Sequence, residues 1–494
     1  MSNEYTLEKA NDFIQNNKVK SSFYPKFNFA APIGWMNDPN GVSIFNDEIH
    51  LFYQHYPYDS VHGKMHWGHA KSQDGIGWDH LNVALAPDQP YDKDGVFSGS
   101  AIEKDGKLYL MYTGHVVNDE GEIRETQNIA ISEDGINFEK SEKNPVLDEK
   151  DVPAGSSIVD FRDPKVFERE GKYYAVIGSK TEDQKGQALL YVSKDLIEWD
   201  FQSVILPHNK YLGDMVECPD LLFFEESDVF LLSAMNYTDE ETGEFYPHIS
   251  WIIEGKVDWT TFVFEVHSIK KMDGGFDFYA PQTSLVSKNP NEYMAIAWQQ
   301  AWNRTLPSHD LNHKWAGQMT IPRLIQKQED KIIQKPYPSI ENNLEIIEKI
   351  ENLHLASSWN RKFTEDYLEF DIDSSQELKV VLSNQANERL ILNINGPQQK
   401  ISFNRRNTMK IEDQKGRLFE EIIYPIPTNK SSWKIKCFVD NSSMQVFIND
   451  DYTLTSTFYT HEPLDELSLN SENQTVLRYL KIGKLKMKTE KQGE

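Results

Sequence analysis

Two cysteines in 494 residues, Cys218 and Cys437, leave this chain without a disulfide framework. Cations are scarce as well: 51 Lys and Arg against 77 Asp and Glu give a formal charge of -26. So acidic a chain repels polyphosphates and anionic bilayers, which argues against nucleic acid or a membrane surface as partner. Long apolar runs are also missing. The first twenty residues are polar, with Leu7, Ala10, Phe13 and Ile14 spaced along one face of a short helix. Neither this stretch nor any later one has the apolar core of a signal peptide or a membrane span, so a cytoplasmic protein is expected. Extended helical periodicity is lacking after Phe29. Aromatic residues are plentiful at 12%, and they suit strands better than helices.

What the chain has instead is a repeated theme. A turn with polar or acidic groups leads into a strand, a Gly- or Asp-marked turn and an aromatic-rich strand. The theme starts at Asn37-Asp38-Pro39, Phe97-Ser98-Gly99-Ser100, Arg162-Asp163-Pro164, Glu217-Cys218-Pro219 and Phe278-Tyr279-Ala280-Pro281, at intervals of 60, 65, 54 and 62 residues. A second marker falls between them: Ser72-Gln73-Asp74-Gly75, Ser132-Glu133-Asp134-Gly135 and Ser193-Lys194-Asp195-Leu196, each followed by an aromatic three residues on. Five units of about four strands, none able to bury both faces alone, predict a five-bladed β-propeller. In that geometry the first strand of every blade lines the axis. Asp38, Asp163 and Glu217, far apart along the chain, are then expected to meet.

From about residue 351 the texture changes to alternating strands, Tyr367–Ile372, Leu378–Leu382, Arg389–Ile394, Trp433–Val439 and Met444–Ile448, which predicts a β-sandwich of structural role. The expected organisation is an all-β fold: a helical extension over 1–26, the propeller over 27–325, a charged linker over 326–350 and the sandwich over 351–494.

With these motifs in place, the chain resembles glycoside hydrolase family 32, the invertases and other β-fructofuranosidases. Trp35-Met36-Asn37-Asp38-Pro39-Asn40-Gly41 is similar to the family's nucleophile motif, Phe161-Arg162-Asp163-Pro164 to its middle motif and Glu217-Cys218-Pro219 to its acid/base motif. His66-Trp67-Gly68-His69-Ala70, Phe276–Gln282 and Trp315-Ala316-Gly317 are also similar. Within the family, the absent signal peptide, Ala86-Pro87-Asp88 and His62 are most like the intracellular sucrose-6-phosphate hydrolases. Departures are His62 where many invertases carry Trp, Pro322-Arg323-Leu324-Ile325 without the usual Glu, and Gln445 where Glu is usual.

The resemblance implies retaining hydrolysis of a β-fructofuranosyl bond in sucrose 6-phosphate and sucrose. Asp38 is the implied nucleophile, Glu217 the acid/base, protonated at rest, and Asp163 the acceptor of fructose hydroxyl hydrogen bonds. Implied sugar contacts are Asn37, Gln54, His62, Trp67, Phe97, Ser98, Arg162, Tyr279 and Trp298. No cofactor or metal is required, although His309 and His313 stand four apart. A phosphate on the leaving sugar calls for rim cations, for which His62, Lys64, Arg304, His309, His313 and Lys314 are available. Short fructo-oligosaccharide hydrolysis, fructosyl transfer and a non-catalytic sugar-binding propeller are the alternatives, and assembly into a homo-oligomer stays open.

Overall fold

The structure is a computed structural model, and it describes residues 5–285, 291–329, 331–427 and 430–487. Residues 1–4 of the expected extension and 488–494 of the expected sandwich lie outside that range. A helix, Leu7–Asn16, capped by the Thr6 hydroxyl, precedes five four-stranded antiparallel blades. Their first strands are Gly34–Phe45, Gly95–Lys104, Ser156–Arg169, Met215–Phe223 and Tyr279–Leu285. These five strands touch in cyclic order, the fifth returning to the first, so they form the wall of the central axis. The ring closes where Trp315–Ala316 lies parallel to Gly34 and Trp35, extending the first blade by one short strand.

The propeller's core sits between blades rather than in one centre. Tyr174, Val176, Leu190, Val216, Phe230 and Trp251 fill the space between the third and fourth blades, for example. The Ser-x-Asp markers close the outer turns of three blades. In each, the Ser hydroxyl accepts the N–H three residues on, and the Asp carboxylate accepts the next two. The residue after that Asp has φ of +72° at Gly75, +73° at Gly135 and +75° at Leu196. The third copy thus keeps a glycine's conformation without the glycine.

Two six-stranded sheets packed face to face make the sandwich, with Phe370, Leu392, Phe403, Trp433 and Leu480 in their shared core. The fold is therefore all-β, a five-bladed propeller followed by a β-sandwich, as the sequence predicts. The stretch 326–350 differs from its expected linker role. Arg323–Gln328 and Lys331–Pro336 are the outer strands of the fifth blade, Pro338–Asn342 is a short helix and Leu344–Leu355 opens the sandwich. Outer strands are free to carry charge, and that composition is what resembled a linker. No described helix is long and apolar enough to cross a membrane.

Propeller and sandwich are joined by buried ionic contacts. Asp277, just ahead of the fifth blade's first strand, is 2.6 Å from Arg405 of the sandwich and also pairs with Arg304. It accepts the Thr457 N–H at 2.8 Å as well. Burial alone would push the Asp277 carboxyl up, but Arg405 and Arg304 outweigh it and hold it below the ordinary range. Nearby, Arg323 donates to Asp273 at 2.9 Å and to Thr453 at 3.1 Å. Arg323, directly before the departure at Leu324, therefore lies at this interface. Gln445 lies there too, accepting the Ile321 N–H at 3.3 Å and donating to Asn28 at 3.1 Å. Asp440, in the polar turn of the sandwich, accepts the backbone N–H groups of Lys26, Phe27 and Asn28 at 2.6, 3.2 and 2.9 Å.

Removing one partner of a buried pair strands the other charge without solvent. Arg405→Met is expected to cost about 3–5 kcal/mol, read as a lowered midpoint in denaturant unfolding. A midpoint unchanged from the parent would show that this contact does not hold the two sheets' systems together.

Candidate active site

Every first strand carries a register irregularity at the same level of the axis: between Met36 and Pro39, Phe97 and Gly99, Arg162 and Lys165, Glu217 and Asp220, and Tyr279 and Gln282. A bulge re-aims side chains and frees backbone N–H groups from the ladder. Asp163, Cys218 and Ala280, each directly before a proline, have φ of 63°, 45° and 51°. The freed N–H groups are satisfied from the neighbouring blade. Gly99 donates to the Asn40 side chain at 3.3 Å, Asp163 to the Thr113 hydroxyl at 3.0 Å, Cys218 to the Asp163 carboxylate at 3.0 Å and Ala280 to the Ser233 hydroxyl at 3.0 Å. The motifs are thus the bulges, and those of the second to fifth blades are locked to the blade before.

Asp38, Asp163 and Glu217 come together on the floor of one cleft, lined also by Asn37, Gln54, His62, Phe97, Ser98, Arg162 and Trp302. The three acids are not equivalent. Glu217 is held hardest: Arg162 donates to its Oε1 from Nε at 3.2 Å and Nη2 at 2.9 Å, and the Tyr279 hydroxyl donates to Oε2 at 2.6 Å. Asp38 Oδ2 accepts from the Ser98 hydroxyl at 2.8 Å and lies 3.7 Å from the Cys218 thiol, whereas its Oδ1 is buried with no protein partner among the described residues. Asp163 Oδ2 lies 3.5 Å from the same thiol. Burial pushes the Asp38 carboxyl up to about 6, with Glu217's charge adding to the rise and the Asn37, Ser98 and Cys218 hydrogen bonds opposing it. Asp163 is raised further: burial is the largest cause, Arg162 opposes it, and the charges of Glu217 and Asp38 add to it. The Cys218 thiol is pushed far above its ordinary value by burial among the three acids, so it is a packed donor and not a reactive thiolate.

The remaining expected contacts divide by position. Gln54 donates to the Val96 carbonyl at 2.9 Å, and Asn37 accepts the Trp35 indole N–H at 2.8 Å. His62 stands exposed at the rim, edge-on to Trp302 at 5.4 Å. Trp67 and Trp298 are fully buried behind the cleft wall, not in it. Trp67 braces the Phe97 carbonyl at 3.0 Å, and Trp298 packs on Trp35 and Trp302. Tyr279 is likewise buried and reaches the cleft only through Glu217. The sequence reading missed two residues. Trp302, four beyond Trp298, is the indole that lines the cleft. Glu125, buried, lies 3.4 Å from Arg162 and accepts the Phe161 N–H at 2.9 Å, so with Asp160 it fixes the guanidinium from behind.

The expected basic rim is largely occupied. Arg304 is bound to Asp277, Lys64 to Asp94 at 2.9 Å, and the His309 and His313 rings lie 2.7 Å from Ser60 and Ser21.

Against known families, residues 28–336 match the glycosyl hydrolases family 32 N-terminal domain and residues 338–486 the family 32 C-terminal domain. The chain belongs to glycoside hydrolase family 32. Among family 32 relatives, sucrose-6-phosphate hydrolase of Escherichia coli is 34% identical over 91% of this chain and 92% of its own. The Bacillus subtilis enzyme of that name is 33% identical over 88% of each. The solved sucrose-6-phosphate hydrolase from Lactobacillus gasseri superposes with a TM-score of 0.84 at 25% identity, covering 97% of this chain and 99% of that one. A Bombyx mori β-fructofuranosidase variant in complex with sucrose gives 0.82 at 30%, covering 97% and 98%.

A carboxyl whose value is raised by folding contributes stability that is present below its unfolded value, near 4, and is lost as pH rises through the folded one. For Asp38 that window runs from near 4 to about 6, and for Asp163 it extends higher. Asp163→Asn removes the loss. It is expected to melt higher than the parent by more at pH 8 than at pH 4.5 in paired thermal scans, and an equal difference at both pH values contradicts the assignment.

Proposed function

We propose that this protein is a retaining β-fructofuranosidase that hydrolyses sucrose 6-phosphate and also sucrose. The observation that carries the mechanism is the asymmetry of the three acids. Asp38 has one oxygen anchored by Ser98 and the other without a protein partner, as suits a nucleophile that bonds to the anomeric carbon of fructose. Glu217, clamped between Arg162 and Tyr279, donates a proton to the leaving oxygen and then takes one from the water that releases the fructosyl group from Asp38. Attack and proton donation break the bond to the leaving sugar and form the ester. Hydrolysis reverses the same roles and regenerates both acids.

Asp163 accepts hydrogen bonds from fructose hydroxyls, and these strengthen as the ring flattens and gains positive charge. Its raised value fits a site that stores a proton among its acids before substrate enters. Gln54, Asn37 and Phe97 shape the fructose pocket, with Trp302 as its aromatic wall. The relatives named sucrose-6-phosphate hydrolase favour a phosphorylated substrate, and so charged a sugar, unable to cross a bilayer unaided, suits a cytoplasmic enzyme. A net charge of -26 leaves nucleic acid aside as a partner.

Asp38→Asn and Glu217→Gln are each expected to lower kcat at least ~10³-fold with the fold retained. Near-parental turnover in either purified variant rules the roles out. Mass spectrometry of Glu217→Gln after a pulse of substrate should find one fructosyl group esterified to Asp38. A label on another residue would reassign the nucleophile. Ionised Asp38 is required for attack, so the acidic limb of kcat/KM is expected near pH 6. Ser98→Ala removes a hydrogen bond that favours the ionised form and should move that limb upward in pH-rate profiles. A downward shift, or none, would contradict it.

A further inference from the structure

A second cavity, of about 410 Å³, adjoins the cleft on the far side of Trp302, which lines both. The Tyr279 hydroxyl touches Glu217, and the His248 ring stands edge-on to Tyr279 at 5.3 Å and forms part of the cavity wall. A bond protonated by Glu217 therefore has fructose in the cleft and room for one further sugar here. The volume falls within the range of small-molecule sites.

The opposite wall comes from the sandwich. Residues 411–419 form a tight hairpin, with Glu412 bridged to Leu418 and the turn at Gly416 in the left-handed region at φ +76°. This hairpin is clamped to the propeller loop that carries Trp302. Arg304 and Asp413 pair as a β-bridge, the Thr305 N–H donates to the Glu412 carbonyl at 2.9 Å, and Gln414 reaches Asn303 at 3.3 Å.

Charge distinguishes this cavity from the rest of the molecule. In a chain with 26 more acids than bases, its lining includes Arg304, Lys415 and Arg417 against the single acid Asp413. Arg304 is already neutralised by Asp277. The Lys415 ammonium has no ion pair or hydrogen bond among the described residues. Arg417 uses Nε on Asp413 at 3.2 Å and Nη1 on the Phe245 carbonyl at 3.3 Å, which leaves Nη2 uncommitted. On the inner wall, His248 Nδ1 is buried and has no hydrogen-bond partner among the described residues. These are an indole and an imidazole for a sugar ring, with the Lys415 ammonium and the Nη2 donor of the Asp413-paired Arg417 at its outer edge.

We propose that this cavity is the leaving-group subsite and that the sandwich hairpin reads the substrate's phosphate, with Arg417 and Lys415 binding the 6-phosphate and His248 a hydroxyl of the same hexose. This rests on the phosphorylated-substrate reading above and replaces the occupied rim cations as the phosphate's partners. The sandwich, expected to be structural only, then sets specificity while the propeller does the chemistry.

The test is kcat/KM on sucrose 6-phosphate and on sucrose for the parent, Arg417→Gln, the double variant Lys415→Gln with Arg417→Gln, and the conservative Arg417→Lys. The expected result is at least a tenfold fall in the ratio of the two specificities for the double variant, carried by KM for the phosphorylated sugar. Inhibition by glucose 6-phosphate should weaken in parallel while inhibition by fructose does not, and Arg417→Lys should recover part of the loss. A parent that prefers the phosphorylated sugar, with variants that keep that preference within twofold, overturns the hairpin's role and leaves the substrate reading standing. A parent with no preference overturns both. Both substitutions are on an exposed turn, and matching fructose inhibition verifies that each variant retains its cleft.

Discussion

Three carboxyls and one guanidinium share the floor of this protein's cleft, and the cost of keeping that much negative charge away from water governs what surrounds it. Arg162 sends two donors to Glu217 and none to Asp38 or Asp163. The latter two are left to neutral donors, a serine hydroxyl, a thiol and a backbone N–H, which hold them in place without cancelling their mutual repulsion. Burial and that repulsion raise both carboxyls and favour a proton held within the group, and glycoside hydrolysis is a reaction that begins with one. The second layer serves the same end: Glu125 and Asp160 are negative charges placed behind Arg162, fixing the cation that the front layer needs.

That floor exists because of how the blades are locked. The Asp163 and Glu217 motifs are bulges whose released N–H is accepted by a side chain of the blade before, so the position of each of these acids is set by two blades and not one. The Cys218 N–H on the Asp163 carboxylate joins the locking to the chemistry in a single bond. The fifth blade has a further brace, since Asp277, two residues before Tyr279, is pinned by Arg405 of the sandwich. Packing between the two sheet systems is in this way transmitted to the hydroxyl that touches Glu217.

Much of this was legible in the residues. The acidic motifs are local, each combining an acid or its neighbour with proline at a bulge, and their spacing of about sixty residues is the length of one blade. Recognition of the family followed from the same short strings. What escaped was set by distant contacts. The family resemblance implies Trp298 as a sugar contact, whereas Trp302 lies in the loop beyond, where no periodicity marks it. Arg304 was read as a free rim cation because Asp277 is 27 residues away in sequence. Lys327, Lys331 and Lys335 made a blade's outer strands look like a linker. Nothing in the string from Ile411 to Phe419 says that it will face a cleft built from another part of the chain.

The propeller's closure has a consequence of its own. Its last join is a parallel pairing only two residues long, Gly34 with Trp315 and Trp35 with Ala316, where the other blades hold their strands by long antiparallel ladders. Directly beside this join, Trp35 stacks on Trp302 of the cleft wall, and the buried Trp298 meets both edge-on from behind. The ring's closing strand pair and the tryptophans that back the cleft's Trp302 wall are thus neighbours. A change that shifts this short pair would tilt Trp35, and through it the indole of Trp302, while the ladders inside each blade stay paired.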